Sequence, residues 1–100
     1  MKYLVTLTPR RIQLPPPGLL EAGKAWINAR LADKTMDFCY AFPAGGGVTI
    51  INAASADALT KTLLDYPGYY FADWKVEPLA DINATLDSVI AMVGRMQAKS

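Results

Sequence analysis

The hydrophobic period changes from helix-like to strand-like within residues 55–79, and this change constrains the fold more than any other feature of the chain. Leu59, Leu63 and Tyr66 recur at spacings of four and three, which places them on one face of a helix. Pro67 and Gly68 then disfavour continuation of that helix and permit the chain to turn. The residues that follow alternate with a period of two and predict a strand. One face of this strand would carry Tyr70, Ala72, Trp74 and Val76, and the other Phe71, Asp73, Lys75 and Glu77.

Similar patterns along the chain predict the element order β-α-β-β-α-β, followed by one more helix. The other predicted strands are Lys2–Thr8, Met36–Phe42 and Val48–Ala53, and the first predicted helix is Leu19–Lys34. The glycine-rich run at residues 43–47 would form a hairpin turn, because no helix and no GK[ST] motif follow it. The order is typical of the ferredoxin-like α+β fold, a four-stranded antiparallel sheet with two helices on one face. We expect one ferredoxin-like domain over residues 1–100, with the helix at 81–97 as an extension.

The last predicted helix has a narrow apolar seam. Its apolar residues follow one another at spacings of four, three, four and three, as Ile82, Leu86, Val89, Val93 and Met96. Such a seam is suited to lying against another helix. The helix could cover the chain's own sheet or cross to a partner.

The second helix and the strand after it resemble a known family. Residues 54–67 follow the pattern A-S-A-D-A-L-x-x-T-L-L-x-Y-P, and residues 69–79 follow Y-Y-F-A-D-W-x-V-x-P-L. This block is similar to the C-terminal half of the muconolactone isomerase-like proteins, which belong to the dimeric α/β-barrel (ferredoxin-like) superfamily. The resemblance implies a homodimer and lactone isomerisation. The second strand of that family carries basic residues, whereas MDFCYAF here is nearly all apolar, which favours a hydrophobic or polyketide-like substrate.

Composition excludes several classes of chemistry. The chain has no histidine, which removes the commonest general base and the commonest metal ligand. The net charge is +1 and the basic residues are scattered, so nothing indicates binding to nucleic acid. The single cysteine, Cys39, cannot form an internal disulfide and is compatible with a reducing cytosol. We expect a cytoplasmic protein without a metal or cofactor, and without a nucleic-acid or membrane partner.

Both faces of the predicted sheet carry large apolar side chains, which indicates a partner. Leu4 is next to Val5, and Ile50 is next to Ile51, so neither face shows the polar residues expected of a solvent-exposed face. Two helices can cover one face, and a bare second face would exceed the apolar patch of an ordinary monomer. We therefore predict a homodimer formed through sheet-to-sheet packing.

A pocket between the sheet and the helices is the expected place for a small hydrophobic cyclic ligand. Its predicted substrate-binding wall consists of Trp26, Phe38, Tyr70 and Trp74, with Tyr40 beside Phe38. Strand alternation puts Met36, Phe38 and Tyr40 on one face and Asp37, Cys39 and Ala41 on the other. Aromatic residues at this spacing also occur as plain core, so both interpretations remain open.

The predicted catalytic residues are Asp73, Glu21, Tyr40 and Arg30. Asp73 or Glu21 would act as general base, Tyr40 would donate a hydrogen bond to the enolate oxygen, and Arg30 would bind a substrate carboxylate. Each has a structural alternative: an ion pair of Asp73 with Lys75, a solvated position for Glu21, and a helix C-terminal position for Arg30. Arg10 or Arg11, before the proline run, could meet an anionic substrate group at the rim.

The favoured function is a cofactor-free isomerase or cyclase that moves a proton next to a carbonyl group of a lactone or polyketide-like substrate. One alternative is a cofactor-independent monooxygenase of the antibiotic-biosynthesis type, for which Trp26, Asn28, Arg30 and Trp74 are available. Another is a non-catalytic dimeric ligand-binding module. Oxygen uptake would distinguish the first alternative, and perturbed titration of the acidic side chains would argue against the second.

Overall fold

A computed structural model describes residues 1–10 and 14–98, and its centre is a four-stranded antiparallel sheet. The strands are β1 (Lys2–Pro9), β2 (Met36–Ala41), β3 (Gly47–Asn52) and β4 (Ala72–Leu79). The helices are α1 (Pro17–Ala32), α2 (Ala56–Leu64) and α3 (Ile82–Ala98), and a short 3-10 helix covers Tyr69–Phe71. The element order and the sheet confirm the predicted ferredoxin-like α+β fold.

The strand order β2-β3-β1-β4 places β1 in the middle of the sheet. Val5 of β1 is level with Thr49 on β3 and with Val76 on β4. Residues directly opposite each other in neighbouring strands point to the same face, so these three residues share the face that α1 and α2 cover. The residues between them share the opposite face, called here the open face. Its members include Leu4, Thr6, Val48, Ile50, Asp73, Lys75 and Glu77.

The core lies between the sheet and the two helices. Val5 and Ile51 are each 1% exposed, and they pack with Leu59 and Leu63 of α2. Ser55 accepts a hydrogen bond from the Ala58 backbone N–H at 3.1 Å and so caps the first turn of α2. The predicted apolar face and N-cap of this helix are therefore both present in the structure.

An irregularity in β2 overturns the predicted faces of that strand. Met36 pairs with Ile51, but Phe38 pairs with the next residue back, Ile50, so one extra residue stands between them as a β-bulge. Cys39 consequently shares the helix-covered face with Met36. Phe38 and Tyr40 lie on the open face, where their rings stack with centroids 5.5 Å apart.

The start of β4 also differs from the prediction. Backbone hydrogen bonds from the Tyr69 N–H to the Tyr66 carbonyl and from the Phe71 N–H to the Gly68 carbonyl continue the turn after Pro67. The strand therefore begins at Ala72 rather than at Tyr69. Tyr70 is 78% exposed on the 3-10 helix and does not share a strand face with Trp74.

A tight turn joins β2 to β3, as predicted for the glycine-rich run. The Phe42 N–H donates to the Gly46 carbonyl and the Gly45 N–H donates to the Phe42 carbonyl, both at 2.9 Å. Gly45 and Gly46 have φ angles of +115° and +84°, a region that side chains disfavour. A Cβ atom on Gly46 would lie 2.1 Å from the Leu7 carbonyl oxygen, so this position requires glycine.

Helix α3 follows β4 after two residues and leaves the body of the molecule. Each of its residues is exposed, and the molecule measures 64 × 28 × 24 Å. The alternative in which α3 covers its own sheet is therefore not what the structure contains. No helix within residues 1–10 and 14–98 is long and apolar enough to cross a membrane.

Candidate active site

Three aromatic rings from different elements pack together between α1 and the sheet. Trp26 comes from α1, Tyr66 from the turn after α2, and Trp74 from β4. The Tyr66 ring packs edge-on against both indoles, with centroid distances of 5.2 Å to Trp26 and 5.7 Å to Trp74. Edge-to-face packing of this kind stabilises a fixed arrangement. The two tryptophans of the predicted pocket wall are thus brought together, with Tyr66 between them.

Hydrogen bonds hold both indoles in place. Trp26 Nε1 donates to Asp65 Oδ2 at 3.0 Å, and Trp74 Nε1 donates to the Tyr69 carbonyl at 3.0 Å. The Tyr69 ring also stacks on Trp74, with centroids 5.8 Å apart. Because the indole N–H groups already have partners, the ring faces are what these residues can offer to a ligand.

A cavity of about 410 Å³ lies next to this aromatic cluster. It is bounded by the sheet on one side and by α1 and α2 on the other. Its apolar lining includes Val5, Leu7, Ile27, Met36 and Leu63. Small-molecule sites in proteins typically have volumes of roughly 300–1,000 Å³, mostly apolar walls and a few polar groups. The size and lining of this cavity match that description.

Tyr66 and Cys39 are two of the residues that line the cavity, and the Tyr66 hydroxyl lies next to Gly23 of α1, which is not part of this lining. Burial raises the pKa of the Tyr66 phenol, and the neighbouring Cys39 raises it further. Burial also raises the pKa of the Cys39 thiol. Both groups are therefore neutral at pH 7, so Tyr66 is a hydrogen-bond donor and Cys39 is not a thiolate nucleophile.

The position of Tyr66 depends on a glycine in α1. A Cβ atom on Gly23 would lie 3.3 Å from the Tyr66 hydroxyl oxygen, so the missing side chain makes room for the phenol. Gly23 is the residue of α1 that is buried. The sequence predicted Tyr66 only as part of the apolar face of α2. Its position at the site depends on the contact with Gly23, which the spacing of residues in the sequence does not reveal.

A second groove, of about 510 Å³, adjoins the cavity and shares Leu7, Ile27 and Tyr66 with it. Arg10 and Lys24 line this groove together with apolar residues of α1 and of the 3-10 helix. The Arg10 Nε atom is also 2.7 Å from Asp73 Oδ1. Arg10 thus lies at the rim, as one interpretation of the proline-rich loop predicted, whereas Arg11 lies outside the described residues.

The predicted carboxylates lie elsewhere. Asp73 is on the open face, where its side chain is 66% exposed and pairs with Arg10 rather than with Lys75. Lys75 pairs with Glu77 at 3.0 Å. Glu21 is exposed on α1. Neither Asp73 nor Glu21 lines the cavity or the groove as the described residues form them, so their roles as general base stay predictions.

The other predicted site residues are divided between the cavity lining and its surroundings. Arg30 Nε is 2.9 Å from Asp33 Oδ2, and the guanidinium carbon is 5.7 Å from the centroid of the Trp26 ring. Tyr40 borders the cavity from β2 but is 69% exposed, because the bulge turns it toward the open face with Phe38. Of the predicted substrate-binding residues, Trp26 and Trp74 line the cavity, and Phe38 and Tyr70 do not.

Comparison with known proteins bears on the fold. No protein-family model matches the chain, and no curated protein matches it in sequence. Among solved structures, the chain is similar to the crystal structure of muconolactone isomerase, with a TM-score of 0.72 and 19% sequence identity. The similarity covers 81% of this chain and 90% of the isomerase chain.

These observations define a ferredoxin-like α+β protein with an aromatic-walled cavity between its sheet and its helices. Within that class the chain has the muconolactone isomerase-like fold, as the resemblance in residues 54–79 implied. At 19% identity the likeness establishes the fold, and the chemistry has to be argued from the site.

Proposed function

We propose that this protein is a cofactor-free isomerase or cyclase that transfers a proton on a small hydrophobic cyclic substrate of the lactone or polyketide type. The observation that carries the proposal is an apolar cavity of about 410 Å³ that is lined by Tyr66, a neutral phenol which also lines the adjoining groove. The muconolactone isomerase-like fold supports the reaction class.

The cavity accounts for substrate binding. A flat ring system fits against the indole faces of Trp26 and Trp74, and the surrounding aliphatic side chains would remove its apolar surface from water. An acidic group on the substrate would be accommodated in the adjoining groove, near Lys24. The ligand class is therefore a small cyclic compound with a carbonyl group and a largely apolar ring.

Tyr66 accounts for stabilisation of the intermediate. Removal of a proton next to the carbonyl breaks a C–H bond, and its electron pair moves to form the enolate, which is protonated again at another carbon. A neutral phenol donates a stronger hydrogen bond to the enolate oxygen than to the carbonyl oxygen, so it favours the transition state. The proposed base that takes up this proton and returns it is Asp73 or Glu21.

A second candidate function is a non-catalytic ligand-binding module. It is favoured by the observation that the described cavity wall carries no Asp, Glu, Lys or Arg side chain. The monooxygenase alternative has less support, since Asn28 lines the second groove and Arg30 is paired with Asp33. Turnover without oxygen uptake would select the isomerase, oxygen consumption would select the monooxygenase, and saturable binding without turnover would select the binding module.

Ligand binding is expected to change tryptophan fluorescence. Planar aromatic and polyketide-like compounds should shift or quench the emission in a saturable way, because both indoles line the cavity. Trp26→Phe and Trp74→Phe leave one reporter each and should each retain part of the response. A broad panel of such compounds that changes neither emission would mean that the cavity does not bind this ligand class.

We also propose the sheet-to-sheet homodimer in the cytoplasm. The open face supports it, since Leu4, Val48 and Ile50 of its central strands stand partly exposed there. Introducing a charge by Ile50→Lys should weaken association by about tenfold or more, because a leucine-sized apolar group loses its burial. Light scattering would measure the mass, with Ala25→Lys on the exposed surface of α1 as the control. A wild-type monomer at micromolar concentration would contradict the homodimer.

A further inference from the structure

The hydroxyl end of Tyr66 faces the groove, and its ring faces the cavity. The ring packs against Trp26 and Trp74, which line the cavity and not the groove. The residues beside the hydroxyl are Gly23 and Gly68, which line the groove and not the cavity. The phenol therefore lies at the junction of the two spaces.

Gly23 and Gly68 enclose the phenol from opposite edges of the ring. An added Cβ atom on Gly68 would lie 2.8 Å from Tyr66 Cε2 and 3.2 Å from the hydroxyl oxygen. An added Cβ atom on Gly23 would lie 3.5 Å from Cε1, at the other edge, and 3.3 Å from the hydroxyl oxygen. We call this arrangement the glycine slot. A side chain at either glycine would push the ring toward the other glycine.

Backbone geometry does not account for these two glycines. Gly68 has φ and ψ angles of −89° and 13°, which most residues adopt in an ordinary type I turn. Gly23 lies in the interior of α1, where alanine is the better helix former. At both positions the atoms closest to an added side chain belong to Tyr66. The space that the glycines leave is therefore the space that the phenol occupies.

The hydroxyl at the groove is available to a ligand. Within residues 1–10 and 14–98, it makes no hydrogen bond to another protein group. No Asp or Glu lines the groove as the described residues form it, so no carboxylate of the groove wall competes for this donor. Half-buried phenols usually find a hydrogen-bond partner. A carbonyl oxygen that enters the junction would supply the acceptor.

We propose that Gly23 and Gly68 are positioning residues, which hold the Tyr66 hydroxyl where it binds the carbonyl oxygen of a cyclic ligand at the junction of cavity and groove. The inference rests on the proposed function and adds where the reacting carbonyl lies. The ring occupies the cavity, and the carbonyl group projects past Tyr66 into the groove. The substrate class is narrowed to cyclic ketones and lactones whose opposite edge is apolar, because the described cavity wall has no charged side chain.

A double-mutant cycle tests the glycine slot without a ligand. Gly68→Ala should lower the urea midpoint by roughly 0.5 M or more. In a Tyr66→Leu background it should cost little, because leucine lacks Cε2 and the hydroxyl. Gly23→Ala should behave alike with a smaller loss. Gly94→Ala is the matched control inside a helix, since an added Cβ atom there meets nothing within 4 Å. An equal loss with tyrosine and with leucine at position 66 would overturn the slot.

Two ligands with the same ring system test the position of the carbonyl. 2-Tetralone is a bicyclic ketone, and tetralin has a CH₂ group in place of its carbonyl. Quenching of tryptophan emission gives a dissociation constant for each compound. Tyr66→Phe should weaken binding of the ketone by about three- to tenfold relative to the hydrocarbon, which corresponds to one hydrogen bond. Gly68→Ala should cause a similar relative loss although it keeps the hydroxyl, and Gly94→Ala should cause none.

The outcomes distinguish the inference from the proposed function. If both compounds bind but the ratio of their affinities is unchanged in Tyr66→Phe, the carbonyl does not lie at the junction and the inference is overturned, while the cavity still binds this ligand class. An unchanged ratio in Gly68→Ala overturns the positioning role, and Gly23→Ala takes its place if Gly68→Ala does not fold. Wild-type protein that binds neither compound would contradict the proposed ligand class and the inference with it.

Discussion

Replacing Tyr66 with phenylalanine is expected to lower turnover by roughly 10²–10⁴-fold while the protein stays folded. The substitution removes the hydroxyl and keeps the ring that packs against Trp26 and Trp74. Because the proposed partner of the phenol is the enolate oxygen and not the bound ring, kcat should fall much more than the affinity for an apolar ligand. Steady-state kinetics and fluorescence titration of the same variant separate the two effects.

The pH dependence of Tyr66 provides an independent check. Burial raises the pKa of its phenol above the ordinary value of 10, so the donor form is complete at neutral pH. Activity that depends on this proton should persist to pH 10 and decline only at higher pH. Folded protein holds this proton more tightly than unfolded protein, so the contribution of Tyr66 to stability is likewise present at neutral pH and lost above its raised pKa.

Substitution of the two retained carboxylates tests which of them is the base. Asp73→Asn and Glu21→Gln remove a charge and keep the shape of the side chain, and both residues are exposed, so neither variant should unfold. The one that supplies the base should lose about as much activity as Tyr66→Phe. Full activity of Tyr66→Phe would contradict the proposed donor, and full activity of both carboxylate variants would remove the predicted bases.

Replacing Gly46 with alanine should destabilise the protein by about 3 kcal/mol or more, the largest loss of stability expected from so small a change. The φ angle of +84° would already strain an alanine, and the added Cβ atom would lie 2.1 Å from the Leu7 carbonyl oxygen. That carbonyl belongs to the central strand and cannot move away without disturbing the sheet. Urea denaturation followed by circular dichroism would measure the change.

Alanine substitutions at two other glycines distinguish backbone strain from steric overlap of the added Cβ atom. Gly45 also has a positive φ angle, +115°, but a Cβ atom there meets nothing within 4 Å, so Gly45→Ala should lose about 1–3 kcal/mol from strain alone. Gly18, near the start of α1, has open space as well, and Gly18→Ala should be neutral or slightly stabilising. Equal stability of Gly45→Ala and Gly46→Ala would contradict the contact with Leu7.

The elements that could be predicted from the sequence are those with a strong local signal. Ser55 and the spacing of Leu59 and Leu63 define α2, and the alternation around Trp74 defines β4. The bulge in β2 could not be predicted, because MDFCYAF is apolar in either phase and a shift of one residue leaves the pattern unchanged. The error in the faces of Phe38, Cys39 and Tyr40 follows from that single residue.

The site was predictable to a smaller extent than the fold. Trp26 and Trp74 line the cavity, whereas Phe38 and Tyr70, which the same aromatic pattern placed at the pocket, do not. The role of Tyr66 depends on its contact with Gly23, more than forty residues earlier in the chain, and spacing along α2 does not reveal that contact. Asp73 was placed on the correct face of β4, opposite Trp74, but its partner Arg10 is set by the packing of β1 against β4.

The bulge in β2 also affects the outer edges of the sheet. β2 and β4 are the outer strands, and an unprotected outer strand can recruit the strand of another molecule and begin aggregation. The bulge interrupts the regular hydrogen-bonding row of β2, and Pro78 removes a donor from β4. Both outer edges of the sheet are thus poor templates for strand addition, which limits the growth of fibrils from them.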